Sequence, residues 1–159
     1  MRRQRDRAPP HAEAHSPRNV RFHPDALAAV VAHCRAAPAA EACGALLGTM
    51  DGPTIRTAVG VANGASDPAR SYAIPAARVR ELDLQATETG LEVVGFFHSH
   101  PAGSARPSAA DLEAAWPGYI YLVVGGTRMD AGAARAWRLA DMRDRFEEVA
   151  IRMETTKCT

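Results

Sequence analysis

The chain has 159 residues, 47% of them hydrophobic, which is enough for one compact domain with a real core and leaves a two-domain division marginal. Its formal charge is +1, from 19 Lys and Arg against 18 Asp and Glu, so no global imbalance marks a binder of nucleic acid or of acidic lipid. Cys34, Cys43 and Cys158 are odd in number, scattered and without a Cys-x-x-Cys pair, which argues against a disulfide framework and a thiolate zinc site and fits a reducing cytoplasm.

Residues 1–18 carry five Arg against Asp6 and Glu13, hold three prolines and lack the apolar run of a secretory signal. They read as a disordered, retained basic tail, with residues 19–159 as a single, faintly acidic domain. The longest apolar stretch, residues 26–32, is far short of the ~20 residues that span a bilayer, so no membrane span is expected.

After the tail, residues 19–22 form a short extended segment and Pro24 sits where a helix can begin. Leu27, Val30, Val31 and Cys34 then recur at helical spacing, which predicts a helix over about residues 25–37, closed by Pro38. Residues 42–50 (ACGALLGTM) read as a buried strand, the Asp51-Gly52-Pro53 turn returns the chain, and residues 54–61 pair back as a hairpin. A loop rich in Gly, Ser, Asp and Pro covers residues 63–71, followed by a brief extended piece at 72–74. Pro75 opens a second helix with Val79, Leu82 and Ala86 on its apolar stripe, and Gly90 ends it. Residues 91–98 (LEVVGFFH), apolar on both faces, read as a central covered strand. A turn-forming loop at 101–107, a short helix at 108–115, a buried strand at 119–124 and two antiparallel strands at 134–139 and 146–151 complete the order. The expected fold is a mixed sheet with helices against it, of the α/β or α+β class.

The chemistry gathers where the central strand ends. In extended backbone His98 and His100, at i and i+2, project to one face about 6–7 Å apart at Cα, so two imidazoles can converge on one ion. Asp111, on the first turn of the following helix, can bring a carboxylate to the same point, giving three protein ligands. A catalytic zinc site has three ligands and an open fourth position, whereas a structural site is closed by four. Glu41, just before the strand at 42–50, reaches the same place if that strand lies beside 91–98, and there serves as general base. Ser108 can donate a hydrogen bond to a developing oxyanion.

Each residue also has a plainer meaning. A His-x-His pair alone is common in strands, a single Glu at a strand edge is ordinarily solvated, and Ser108 with Asp111 is also the Ser-x-x-acid pattern that caps a helix. The joint occurrence outweighs these readings. Glu41, His98-x-His100, then Ser108 and Asp111 resemble, without gap or substitution, the JAMM motif of MPN+ metalloproteases, and Gly95-Phe96-Phe97-His98-Ser99-His100-Pro101 is similar to the short bacterial members. The resemblance covers roughly residues 20–139. It implies a mixed, curved sheet flanked by helices, the MPN/JAB1 (cytidine-deaminase-like) architecture. It also implies one zinc ion per chain at His98, His100 and Asp111, with Glu41 as base and Ser108 as support for the oxyanion or water. The implied substrate is a peptide or isopeptide bond after the C-terminal Gly-Gly of a ubiquitin-like protein. Without the long insertions of the eukaryotic deubiquitinases, the chain is more similar to members acting on sulfur-carrier proteins.

The competing class is a non-catalytic MPN scaffold that binds a ubiquitin-like partner; such scaffolds commonly lose a ligand or the base, and this chain keeps each one. A base deaminase is rejected, since it pairs His-x-Glu with Pro-Cys-x-x-Cys. His11, His15, His23 and His33 are expected to be ordinary tail or surface residues, Cys43 a small buried hydrophobe, and Trp116 and Trp137 core or rim packing.

Overall fold

The computed structural model describes residues 17–155. His11, His15, Cys158 and all but the last two residues of the expected basic tail lie outside that range. The described elements are β1 (Asn19–Phe22), α1 (Pro24–Arg35), β2 (Cys43–Thr49), β3 (Thr54–Val61), α2 (Ala76–Thr87), β4 (Glu92–His100), α3 (Ala109–Ala114), β5 (Ile120–Gly125), a 3-10 turn (Ala131–Ala133), β6 (Ala134–Leu139) and β7 (Phe146–Met153).

Local chemistry accounts for the helix starts. Pro24 occupies the first turn of α1, where its missing N–H costs nothing, and His23 caps the helix by accepting the Asp25 N–H on Nδ1 at 3.3 Å. His23 is therefore a capping residue and not an idle surface histidine. Leu27, Val30, Val31 and Cys34 are buried on one face, as their spacing predicts. The extended piece expected at 72–74 is not a strand; it runs as loop, tied by the Gly64 N–H to the Ala73 carbonyl.

The sheet runs β1-β3-β2-β4-β5-β6-β7 and closes into a barrel, because β1 pairs in parallel with both β3 and β7. Pairing is mixed: β4 and β5 are parallel, while β2–β3, β2–β4, β5–β6 and β6–β7 are antiparallel. The expected curved sheet is thus curved to the point of closure, which removes its two free edges.

Alternation, shifted by one residue on β4 where a bulge interrupts its pairing with β2 between Val93 and Gly95, sorts the central strands onto two cores. Leu46, Val94, Phe97, Leu122 and Val124 face α1 with Phe22, Leu27 and Val30. Ala45, Leu47, Val93, Phe96, Tyr121 and Val123 face the other side with Leu82 and Ala86 of α2. Fully burying side chains of this size is worth ~1.5–3 kcal/mol each, so β2, β4 and β5 form the rigid spine of the domain. Gly44 permits their close approach: a Cβ there would lie 2.4 Å from the Phe97 ring and 2.2 Å from the Val59 carbonyl oxygen. His33 likewise packs over Gly60 and meets Phe97 edge-on at 5.8 Å, so it is a half-buried packing residue and not a surface one. Among the described residues no helix is long and apolar enough to cross a membrane.

Candidate metal centre

β4 extends two residues beyond the run that ends at His98 and carries both histidines as strand residues, paired with β5 at His98–Val123 and His100–Gly125. Alternation turns His98 and His100 to one side and Ser99 to the other. The two Nε2 atoms stand 3.0 Å apart. His98 is 1% exposed.

Asp111 arrives from α3. Ser108 caps that helix by accepting the Asp111 N–H on Oγ at 3.1 Å, and Asp111 Oδ2 accepts the Ser108 N–H at 2.7 Å, a reciprocal capping box. The capping role of this pair and its place in the site are therefore one geometry. The turned-in carboxylate Oδ2 lies 3.1 Å from His98 Nε2 and 3.4 Å from His100 Nε2.

These distances allow a test of whether the residues suit a metal. Three donors held about 2.0–2.1 Å from one tetrahedral ion stand roughly 3.3–3.4 Å from each other. The observed separations of 3.0, 3.1 and 3.4 Å have that scale. His100 Nδ1 lies 2.9 Å from the Ser104 carbonyl oxygen, which only accepts, so Nδ1 donates and the Nε2 lone pair of the neutral ring points inward. A single proton on His98 Nε2 would have to serve both neighbours, whereas a cation satisfies all three atoms. His98 Nδ1, on the far side of the ring, is buried without a hydrogen-bond partner among the described residues. The donor set of two imidazoles and one carboxylate fits zinc.

Electrostatics follow the same grouping. Burial pushes the His98 pKa down, against the pull of Asp111, and favours the neutral ring that a ligand needs. The hydrogen bond to Asp111 raises that of His100 despite burial. For Asp111, burial pushes upward, but hydrogen bonds from His100 and His98 win and hold the carboxyl well below the usual range.

Glu41 stands beside this group. Its carboxylate lies within 4.8 Å of ligand atoms of both histidines, the reach of one intervening water. These three residues could themselves hold an ion, and Asp111 Oδ2, 3.1 and 3.4 Å from the two imidazoles, offers a further ligand atom. Burial raises the Glu41 pKa, with His100 opposing and Asp111 adding. The residue stands two positions before Cys43, where the β2–β4 ladder begins by pairing Cys43 with His98.

Four residues that sequence reasoning gave no part in the site also shape it. Tyr72 stacks on the His98 ring at 4.3 Å between centroids and 20° between planes. Ser99, fully buried, accepts the Ala42 N–H on Oγ at 2.9 Å, and its own N–H donates to the Ala42 carbonyl at 2.9 Å. Asn63 donates to the Glu41 carbonyl at 2.9 Å. Trp137, expected to be packing, is buried and also donates from Nε1 to the Ala105 carbonyl at 2.9 Å, holding the loop whose Ser104 carbonyl orients His100. Only Ser99 had a signal: a serine between two metal-facing strand positions must point to the opposite, buried face. Cys43 is buried, as expected of a small apolar residue, and burial raises its thiol to about 11.

Comparison with known proteins adds relatives to this geometry. A family described as prokaryotic homologs of the JAB domain matches residues 23–140. A protein of Haloferax volcanii called Desampylase is 36% identical over 137 residues, covering 82% of this chain and 93% of its own. A Desampylase of Pyrococcus furiosus is 33% identical over 116 residues, covering 72% and 76%. Among solved structures, a JAB1/MPN domain protein from Archaeoglobus fulgidus superposes with a TM-score of 0.57 at 19% identity, covering 86% of this chain and 98% of that one, a likeness of fold.

Proposed function

The chain belongs to the family of prokaryotic homologs of the JAB domain, the JAMM/MPN+ proteins its motif resembles, and on that premise we propose that it is a zinc-dependent isopeptidase. Its substrate on this reading is a peptide or isopeptide bond after the C-terminal Gly-Gly of a ubiquitin-like protein of the sulfur-carrier kind. The observation that carries the reading is the convergence of His98 Nε2, His100 Nε2 and Asp111 Oδ2 within 3.4 Å of one another, with the Glu41 carboxylate alongside. The name Desampylase, borne by two relatives, supports hydrolysis of a linkage to a ubiquitin-like protein.

Zinc held by His98, His100 and Asp111 would supply Lewis acidity, polarising the scissile carbonyl and making water acidic near neutral pH. The remaining work falls to the chain. Glu41 takes a proton from the attacking water as the new C–O bond forms, then delivers it to the departing amine as the C–N bond breaks. The Ser108 hydroxyl, whose oxygen already accepts the Asp111 N–H, keeps its own proton to donate to the developing oxyanion, a contribution on the order of 3 kcal/mol when well aimed. Ser104 fixes the His100 ring through Nδ1 and thereby its tautomer. A Gly-Gly tail suits such a site because residues without Cβ let their carbonyl approach it closely.

The test uses purified protein and a ubiquitin-like protein joined through its terminal Gly-Gly to a lysine of a target. Cleavage after the second glycine is expected, abolished by chelation, restored by Zn2+ and lost in Glu41→Gln. Cleavage at the wild-type rate by chelated protein or by Glu41→Gln would overturn the assignment.

A further inference from the structure

Glu41 belongs to no strand; β2 begins at Cys43, so the ladder that fixes the histidines does not by itself fix the base. Its two backbone groups are nevertheless both engaged by the loop that follows β3. The Glu41 N–H donates to the Pro68 carbonyl at 2.7 Å, and the Glu41 carbonyl accepts from Asn63 Nδ2 at 2.9 Å. Asn63 is the knot of that loop. Its Nδ2 also donates to the Ser71 carbonyl at 2.8 Å, and its Oδ1 accepts the Ala65 N–H at 2.9 Å and the Ala73 N–H at 3.1 Å. A side-chain amide has two donor hydrogens and two acceptor lone pairs, so each is spent on backbone. One side chain therefore joins the segment before β2 to both arms of the loop at 63–73.

From this geometry we infer that Asn63 is the positioning residue of Glu41, its amide locking the loop onto the backbone of the base. The inference rests on Glu41 acting as the proton carrier. Asn63 suits the job because that job needs donation to two carbonyls and acceptance from two N–H groups at once, which only a primary amide supplies, and glutamine would carry that amide one methylene too far. Aspartate keeps the acceptors and replaces both donors with a repelling oxygen; serine and alanine cannot span the four points. The consequence should be local: His98, His100 and Asp111 are held by β4 and the α3 cap, none of which bonds to Asn63.

The test compares full-length wild type, Asn63→Asp and Asn63→Ala, with Ser71→Ala as a loop control that loses one exposed hydrogen bond, from Oγ to the Asp67 carbonyl. Two readouts are taken. In metal-free protein, amide exchange at Glu41 should rise about tenfold or more in both Asn63 variants, while Phe96 and Phe97 in β4 keep wild-type rates. With Zn2+ bound at wild-type stoichiometry, kcat on the Gly-Gly conjugate should fall on the order of 10²-fold, the scale of a displaced catalytic group, with KM little changed and Ser71→Ala at wild-type rate. Unchanged exchange at Glu41 in Asn63→Asp would overturn the inference, as would raised exchange with undiminished kcat. If wild type itself cleaves nothing, the proposed reaction fails, and the exchange result alone decides whether Asn63 holds Glu41.

Discussion

The two sides of the site are built by different means. His98 and His100 ride on β4, hydrogen-bonded to a neighbour on each flank and buried between two cores, so their separation is set by the regular geometry of a strand. Glu41 and Tyr72 lie in irregular backbone and depend on individual side-chain hydrogen bonds and a ring stack for their places. A ladder distributes its restraint over many bonds; a knot concentrates it in a few. The ligand side should therefore tolerate the loss of a single supporting contact, and the base side should not.

The largest effect should come from attacking the strand side at the ligand itself. His98→Ala removes one of three donors, and the two that remain cannot hold zinc tightly, so bound metal should drop from about one ion per chain to a small fraction of that and hydrolysis with it. Metal analysis after gel filtration reads this directly. Tyr72 loses its stacking partner at the same time, yet the two cores stay intact and the fold should persist by circular dichroism. Full metal content in His98→Ala would mean that the convergence of the three donors is a hydrogen-bonded cluster only.

Ser99 lets the comparison be sharpened, because it belongs to the strand and reaches toward the base. Its Oγ takes the Ala42 N–H next to Glu41, in the buried interior beside Cys34. Ser99→Ala leaves that buried N–H without its acceptor, which costs about 1–3 kcal/mol and should move the urea midpoint accordingly. Metal affinity should stay near wild type, since the ladder around His98 and His100 is untouched. A variant as stable as wild type would show that water replaces the hydroxyl.

The same division explains what could be foreseen. The helix at Pro24, the hairpin around Gly52, the central strand and the His-x-His site are written in short-range patterns: a breaker, a period of 3.6 or 2, a spacing. The ligand geometry follows from them because a strand has a fixed repeat. Asn63 holding Glu41 spans 22 residues, and Tyr72, in a loop with no period, covers His98 from the other side of α2, so no local pattern encodes either. Closure of the sheet was equally hidden, resting on β1, four residues whose pairing with both β3 and β7 depends on how far the sheet curves. His33 looked idle because the space it fills is defined by Gly60, which lies on a different element.

The smallest expected effect tests the strand side at its most remote support. Trp137 pairs with Tyr121 on the neighbouring strand and sends Nε1–H up to the Ala105 carbonyl, one residue from the Ser104 carbonyl that orients His100. Trp137→Phe keeps most of the apolar volume and deletes one hydrogen bond, a loss of about 0.5–1.5 kcal/mol. Partners that bond a ligand directly change metal affinity about 10–100-fold when removed, and Trp137 acts one link further away, so a weakening of only a few-fold is expected in a chelator competition. The loop has a second anchor in the Gly126 N–H, which donates to the Gly103 carbonyl at 2.8 Å and the His100 carbonyl at 3.2 Å. Close packing of the Ser104–Ala105 backbone on Gly125 restrains it too, since a Cβ there would lie 2.4 Å from the Ala105 nitrogen. A hundredfold loss of affinity in Trp137→Phe would break the contrast, because the ligand side would then hang on one bond as the base side does.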